Sequence, residues 1–299
     1  MYDRKGAVLF ILTESPVHWG TGVSLGAVDL PVQRERHTGY PMAQSAGIKG
    51  ALRDLFERHM KEVVDDLFGP EPKSGEEPRS MGRASFGDGR VLLFPVRSGK
   101  GAFAWVTCPH VLSRLRADLS RAGFEGYPDT IPAPAAGRAW TTEQGVKELD
   151  LAQGKALLED RAYALEKDGR VTAWSNWLME SKAIPDDLKF HRDLLLKGLA
   201  VIPDDDFKSF VLQSTVVETH VSIENETRTA KEGALFQVEF VPSDALFYSV
   251  VLISGLGGKD GKKSLEDLKD GISKAGGRWQ MGADASTGRG WMALSFVRG

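Results

Sequence analysis

The stretch IKGALRDLFERHMKEVVDDL, residues 48–67, carries the most regular pattern in the chain. Its apolar side chains recur at intervals of three and four residues, and charged side chains occupy the opposite face. This spacing predicts one amphipathic helix of about five turns, which Gly69 and Pro70 then end. The apolar face consists of Ile48, Ala51, Leu52, Leu55, Phe56, Met60, Val63, Val64 and Leu67.

Apolar runs and alternating patterns place the other elements around this helix. Residues 7–12 are six apolar residues in a row, which indicates a buried strand. Residues 16–47 lack periodicity, and a connection of that length predicts a functional loop. The polar stretch 71–79 predicts a second loop. Further strands are predicted at 91–96, 102–107, 246–254 and 291–297, hairpin arms at 217–223 and 236–240, and helices after Pro109 and around 265–272.

The order of these elements predicts the fold class. Strand, helix, strands, then strand, helix, strand is the split βαβ order of the ferredoxin-like fold, which RNA-recognition modules share. We therefore predict an α+β fold with a ferredoxin-like (RRM-like) core in a single domain, 1–299. Residues 123–206 show no clear period and are interpreted as a helical or irregular insertion, and residues 211–241 as a thumb-like hairpin.

Composition limits the classes of protein that fit. No apolar run approaches the ~20 residues that cross a bilayer, so we expect no membrane association. The only cysteine, Cys108, excludes an intramolecular disulfide, and we expect a soluble cytoplasmic protein. The net charge of −3 argues against a free-standing nucleic-acid binder, but residues 34–53 carry four basic side chains against one acid. A basic track on an acidic body suits a protein that meets nucleic acid inside a larger assembly.

Asp29 is the first candidate for chemistry. It stands alone in a loop of small and apolar residues, after glycines at 20, 22 and 26. A lone carboxylate can orient a hydroxyl, accept a proton or hold a metal ion. Capping of a turn, or an ion pair with Arg34 or Arg36, is the structural alternative. Those two arginines could themselves contact phosphates or form a solvated face with Glu35.

Two glycine-containing segments are candidate phosphate sites. In the first, SAGIKGALR (45–53), a loop enters the strong helix with Ser45 at its start and Lys49 and Arg53 on one side. Unpaired N–H groups, the helix dipole and two cations predict a phosphate cradle, with two ordinary surface cations as the alternative. In the second, GADASTGRG (282–290), glycines, hydroxyls and an arginine suit an anion nest, with a plain strand-entry turn as the alternative.

The order of the motifs carries a family resemblance. The segments are GAVDLPVQRERHTGYP (26–41), PVRS (95–98), FAWVTCP (103–109), TRT and EGAL (227–229 and 232–235), and the loop 282–290. Together they resemble the repeat-associated mysterious protein (RAMP) superfamily, and more narrowly the backbone subunit of the type III-B (Cmr) CRISPR effector complex.

This resemblance implies a function and a set of partners. Copies of the subunit would stack head to tail on a CRISPR guide RNA beside other Cmr subunits, and the hairpin would displace one nucleotide of the guide–target duplex. Asp29 would promote cleavage of single-stranded target RNA, by orienting groups or by holding a divalent ion (Mg²⁺ or Mn²⁺). His18 is a second catalytic candidate, with loop packing as its alternative. The implied guide-binding residues are Arg34, Arg36, Ser45, Lys49, Arg53, Gly282, Thr287, Gly288 and Arg289.

Three other functions remain open at this stage. The chain could be a non-catalytic, structural guide-RNA-binding subunit. It could process precursor guide RNA as a monomer. It could also be a small-molecule phosphate enzyme that uses the two glycine-containing segments.

Overall fold

The computed structural model describes residues 5–71, 81–224, 226–255 and 261–299. Nearly all of the loop predicted at 71–79 lies outside these ranges. The strands are β1 (Lys5–Thr13), β2 (Met42–Ala43), β3 (Ala84–Phe86), β4 (Gly89–Val96), β5 (Ala104–Thr107), β6 (Arg138–Thr141), β7 (Lys155–Leu158), β8 (Arg161–Lys167), β9 (Leu199–Val201), β10 (Val216–Ile223), β11 (Ala230–Phe240), β12 (Leu246–Ile253), β13 (Arg278–Gln280) and β14 (Trp291–Arg298). The helices are α1 (Ser45–His59), α2 (Val64–Phe68), α3 (Pro109–Arg121), α4 (Glu143–Leu149), α5 (Gly169–Glu180), α6 (Lys189–Lys197), α7 (Asp204–Gln213) and α8 (Gly261–Lys274).

Four strands and two helices form the predicted ferredoxin-like core. Strand β1 pairs antiparallel with β12 on one side and with β14 on the other, and β12 pairs antiparallel with β4. It follows that β1 runs parallel to β4 and β12 runs parallel to β14, each pair with one strand between. Helix α1 precedes β4 and α8 precedes β14, so the chain contains two interlocked split βαβ units. The predicted fold class is confirmed.

The two core helices contact each other closely. Gly271 of α8 lies against the Phe56 ring of α1, where a Cβ would overlap the ring. Phe56 and Leu55 are fully buried, as the apolar spacing of 48–67 predicts. A larger side chain at 271 would therefore separate the helices.

The prediction of one continuous helix over 48–67 is wrong. Helix α1 ends at His59, Met60 adopts a non-helical conformation, and a 3₁₀ turn (Lys61–Val63) leads into α2. Arg53 donates hydrogen bonds to the Gly69 carbonyl and to Glu57, the latter at 2.8 Å. Sixteen residues of straight helix would rise about 24 Å, beyond the reach of an arginine side chain. The chain folds back at Met60 because tertiary contacts override the local period.

Residues 123–206, interpreted from the sequence as a helical or irregular insertion, contain helices but also add four strands to the large sheet. Strand β9 pairs parallel with β5, and β6, β8 and β7 follow it in the same twelve-stranded sheet. Helices α4, α5 and α6 accompany these strands, with Trp174 buried and its Nε1 donating to the Thr130 carbonyl at 2.9 Å. The strands are three to seven residues long, too short to produce a readable alternation.

The predicted hairpin stands apart from the large sheet. Strands β10 and β11 pair antiparallel as a separate two-stranded sheet, with Val216 opposite Phe240 and Val221 opposite Leu235. Val221, Ile223 and Leu235 are about half exposed or more, so one face of the outer part of this hairpin is apolar and open. None of the helices in the described part of the chain combines the length and the apolar content that a membrane span requires.

Candidate nucleic-acid interface

The loop that carries Asp29 lies along strand β11 of the hairpin. The Leu30 N–H donates to the Gln237 carbonyl at 3.0 Å, and the Glu239 N–H donates to the Leu30 carbonyl at 2.9 Å. The Gln237 N–H donates to Oδ2 of Asp29 at 2.8 Å. Within the described residues this is the one hydrogen bond to the Asp29 carboxylate, whose residue is exposed. Asp29 therefore presents a surface carboxylate with one oxygen fixed and the other open.

The alternative ion pair between Asp29 and Arg34 does not form, because Arg34 binds Glu239. Nη2 of Arg34 donates to Oε1 of Glu239 at 2.5 Å, and Nη1 donates to the Gly39 and Val211 carbonyls. Arg36 is exposed and has no ion pair with any residue that the structure describes. Of the two arginines, only Arg36 has its guanidinium available for a phosphate.

Glu239 is the residue that sequence reasoning missed. It is 6 % exposed, and its carboxylate accepts hydrogen bonds from Arg34, from Thr215 Oγ1 (2.7 Å) and from the Val32 N–H (2.9 Å). These contacts attach the loop after Asp29 to both strands at the base of the hairpin. The sequence offered one signal for Glu239, namely a single acid at the buried end of an alternating strand. A charged side chain at such a position requires hydrogen-bonding or ion-pair partners.

His18 lies buried beneath the same loop. Its Nδ1 hydrogen-bonds the Glu239 carbonyl at 2.7 Å, and its ring meets Phe240 edge-on at 5.8 Å. Gly20 covers Nε2 so closely that a Cβ there would overlap the ring. The contacts of His18 in this structure are those of a residue that packs the loop onto the hairpin.

The start of α1 has the geometry of the predicted cradle in part. The N-cap residue Gln44 makes no side-chain cap, and the Ser45 N–H donates to Asp88 at 2.9 Å. Lys49 is half-buried and has no ion pair with a described residue, whereas Arg53 is held by Glu57 and the Gly69 carbonyl. Lys49 is thus the cation of this pair that remains available.

The C-terminal loop 282–290 is a tight turn with left-handed residues. Gly282 and Gly288 both have positive φ, and a Cβ on Gly282 would crowd the His18 carbonyl. Thr287 donates from Oγ1 to the Asp284 carbonyl at 2.8 Å, which closes the 3₁₀ turn. Arg289 turns towards the hairpin, where Nη2 lies 2.5 Å and 2.6 Å from the two Glu218 oxygens.

A groove joins the three segments that were predicted to act together. It encloses about 360 Å³. Its lining comes from the aspartate loop (residues 14–41, between β1 and β2), from the start of α1 and from the C-terminal loop, and includes His18, Trp19, Gly20, Gly22, Gln33, Gln44, Gly47, Ile48, Met281, Gly282 and Ala283. Ser45 and Lys49 line a neighbouring hollow on the other side of the α1 start. The groove has a mixed lining, in which glycines and alanines alternate with larger side chains that include His18, Trp19 and Met281.

The structure also shows how the basic track is organised. Glu35 accepts hydrogen bonds from Arg114 and from Thr38. Burial alone would raise the pKa of Glu35, but the hydrogen bonds from Arg114 and Thr38 hold its pKa below the ordinary value. Glu35 stays ionised and anchors this turn to helix α3, which leaves Arg36 facing solvent.

The donor set around Asp29 consists of one carboxylate. No group of three His, Cys, Asp or Glu side chains able to hold a metal occurs in the described ranges. A magnesium ion often uses one or two protein carboxylates together with substrate phosphates and water. A divalent ion is therefore compatible with Asp29 where a nucleic-acid phosphate completes the ligands.

Comparison with known proteins defines the class. The model of the RAMP superfamily matches residues 10–293, and the chain belongs to this superfamily. Over 98 % of its length it is 34 % identical to the CRISPR system Cmr endoribonuclease Cmr4 of Pyrococcus furiosus, covering 96 % of that protein. It is 24 % identical to the CMR subunit Cmr4 of Saccharolobus solfataricus, with 82 % of this chain and 83 % of the relative covered. The family resemblance seen in the sequence is confirmed.

Solved structures of related proteins share the fold of this chain. The crystal structure of oligomeric Cmr4 from Pyrococcus furiosus superimposes with a TM-score of 0.74 at 29 % identity, covering 99 % of this chain and 98 % of that one. The cryo-EM structure of a type III-B Cmr-beta complex bound to cognate target RNA contains a chain with a TM-score of 0.73 at 18 % identity, with coverage of 98 % and 97 %. At that identity the second likeness concerns the fold alone.

Proposed function

We propose that this chain is a guide-RNA-binding backbone subunit of a type III-B CRISPR effector complex and that it cleaves target RNA through Asp29. The observation that carries the proposal is the exposed Asp29 carboxylate, held on the hairpin by a loop whose first residues line the groove, in a chain with a near full-length Cmr4 endoribonuclease relative. Stacked copies of the chain and other Cmr subunits are its partners, in line with the oligomeric relative. A cytoplasmic location fits a single buried, unpaired cysteine.

The guide RNA would lie in the groove with its phosphates towards the α1 start and the C-terminal loop. Arg34, Arg53 and Arg289 already have acceptors within the chain. The Ser45 N–H and most N–H groups of the C-terminal loop also donate within the chain. We therefore assign the phosphate contacts to Lys49, to Arg36 and to the backbone N–H groups of Ala46, Gly47 and Gly282, which donate to no described residue. Such contacts do not read bases, so binding would be independent of guide sequence.

Cleavage would follow from the position of the open Asp29 oxygen. The 2′-hydroxyl of the target attacks the adjacent phosphorus, a bond forms from O2′ to phosphorus, and the bond from phosphorus to O5′ breaks. Asp29 orients the hydroxyl or accepts its proton, and the departing O5′ takes up a proton from solvent. The products are a 2′,3′-cyclic phosphate and a 5′-hydroxyl.

A divalent ion, Mg²⁺ or Mn²⁺, is part of the proposal. Asp29 would be the protein ligand of this ion, and the ion would supply positive charge at the target phosphate. Chelation with EDTA should then stop cutting, and the guide RNA should stay bound in the assembled complex. Loss of guide RNA on chelation would point to a structural ion instead.

The test uses the assembled complex and labelled target RNA with Mg²⁺ or Mn²⁺. Asp29→Ala should abolish cutting at regular spacing without releasing the guide. Asp160→Ala is a matched control, because Asp160 is an exposed aspartate of another turn (side chain 79 % exposed). If cutting persists in the Asp29 variant, the chain is a guide-binding scaffold and the cleavage site lies elsewhere.

A further inference from the structure

Arg289 forms a brace between the C-terminal loop and the hairpin. Its Nη2 contacts both carboxylate oxygens of Glu218, and its guanidinium carbon lies 5.0 Å above the centre of the Phe240 ring. The two charged side chains are 26 % and 32 % exposed. A pair that is partly removed from water and supported by a ring face is stronger than an ordinary surface pair.

The brace acts at the level of Asp29. Glu218 of β10 stands opposite Val238 of β11, and Val238 forms a parallel bridge with Leu30. Leu30 follows Asp29, whose Oδ2 accepts the N–H of Gln237. A continuous series of contacts thus runs from the C-terminal loop, through Glu218 and Val238 in the two hairpin strands, to Leu30 in the aspartate loop.

We propose that Arg289 is a positioning residue for Asp29. This rests on the proposed function, because it concerns the geometry of the same cleavage site. Arg289 fixes the hairpin through Glu218, and β11 fixes the carboxylate through the Gln237 N–H. Without the brace the hairpin keeps the Glu239 contacts and the backbone bonds of Leu30 and Val17 near its base but loses its tie to the C-terminal loop at Glu218. We expect the hairpin then to pivot about its base.

The pivot should affect the chemical step more than binding. Attack by a 2′-hydroxyl requires the reacting atoms to be aligned, and a displacement of about 1 Å can cost a hundredfold in rate. The groove for the guide is lined by residues 281–283, and Arg289 is not among its lining residues. Guide retention should therefore survive the loss of the Arg289 side chain.

The experiment compares Arg289→Gln, Glu218→Gln and the charge swap E218R/R289E in the assembled complex. Each single variant should lower the single-turnover cleavage rate at saturating target by about tenfold to a hundredfold, with target affinity and guide retention unchanged. The charge swap should recover most of the lost rate. Recovery by the swap is an effect that general damage to the fold would not produce.

A second measurement follows hydrogen exchange at the Gln237 amide. Its protection should fall in both single variants and return in the swap, while amides of β1 and β12 keep theirs. Asp29→Asn is assayed in parallel, and unchanged cutting there would overturn the proposed function, leaving the brace to be judged by the Gln237 amide.

Two results would overturn the brace. One is guide RNA that dissociates from Arg289→Gln but not from Glu218→Gln, with no recovery in the swap, because Arg289 would then bind a guide phosphate. The other is full cleavage rate and full Gln237 protection in both single variants.

Discussion

The Glu239 contacts make the substitution Glu239→Gln a test of how the aspartate loop is anchored. The side chain keeps its size, but one acceptor oxygen becomes an NH₂ group that faces a donor, and Arg34 loses its counter-charge. Removing one partner of a buried ion pair costs about 3–5 kcal/mol. Arg34 keeps the Gly39 and Val211 carbonyls as acceptors and is 18 % exposed, which reduces the loss. We expect a fall of about 2–3 kcal/mol in the free energy of unfolding.

Urea unfolding followed by fluorescence would measure this fall, and thermal unfolding should show a midpoint lower by about 5 °C. Glu266→Gln is the matched control, because Glu266 is 57 % exposed and pairs with Arg298 on the surface. That control should change stability by less than about 0.5 kcal/mol. If Glu239→Gln unfolds at the same urea concentration as the unsubstituted chain, the reasoning about the anchor is refuted.

Three further predictions concern charged residues, and the first two separate the basic residues by their contacts. Lys49→Ala should weaken retention of any guide RNA and reduce the salt dependence of binding by about one phosphate contact, with the melting temperature unchanged. Arg53→Ala should instead lower the free energy of unfolding by about 1–2 kcal/mol through loss of its bond to the Gly69 carbonyl, and equal effects of the two variants on guide retention would contradict this division. The pKa of Glu35 is lowered in the folded chain, so its ion pair with Arg114 stabilises the fold at pH values above the ordinary pKa of 4.5. This stabilisation is lost as the pH falls below 4.5. Urea unfolding between about pH 6 and pH 3 should show a smaller loss for Glu35→Gln, and parallel curves would count against the pair.

The ferredoxin-like core was predictable because its signals are local. The apolar stripe from Ile48 to Phe56 and the apolar runs at 7–12 and 246–254 each report one element of the core, and their order reports the topology. The alternation at 217–223 reports the separate hairpin in the same way. Strands β6 to β9 gave no such signal because they are only three to seven residues long. The break at Met60 accompanies the contact between Arg53 and the Gly69 carbonyl, sixteen residues apart, which helical periodicity does not report.

The sequence identified which residues belong to the candidate site, but it did not identify which residues they contact. Asp29 could be selected as a lone carboxylate among glycines, and the two glycine-containing segments could be selected by composition. The partner of Arg34 lies 205 residues away and that of Arg289 lies 71 residues away. Single-sequence periodicity carries no information on contacts at such separations, so both arginines read as available for phosphate.

The central claim is tested most directly by the single-turnover cleavage rate of the complex with Asp29→Asn. This substitution keeps the size of the side chain and an acceptor for the Gln237 N–H, but it removes the negative charge and the proton acceptor. We predict a rate lower by a factor of about 100 or more at every cleavage position, with guide retention and target affinity within about twofold of the unsubstituted complex. A complex of Asp29→Asn that cuts the same bonds at the unsubstituted rate would contradict the claim.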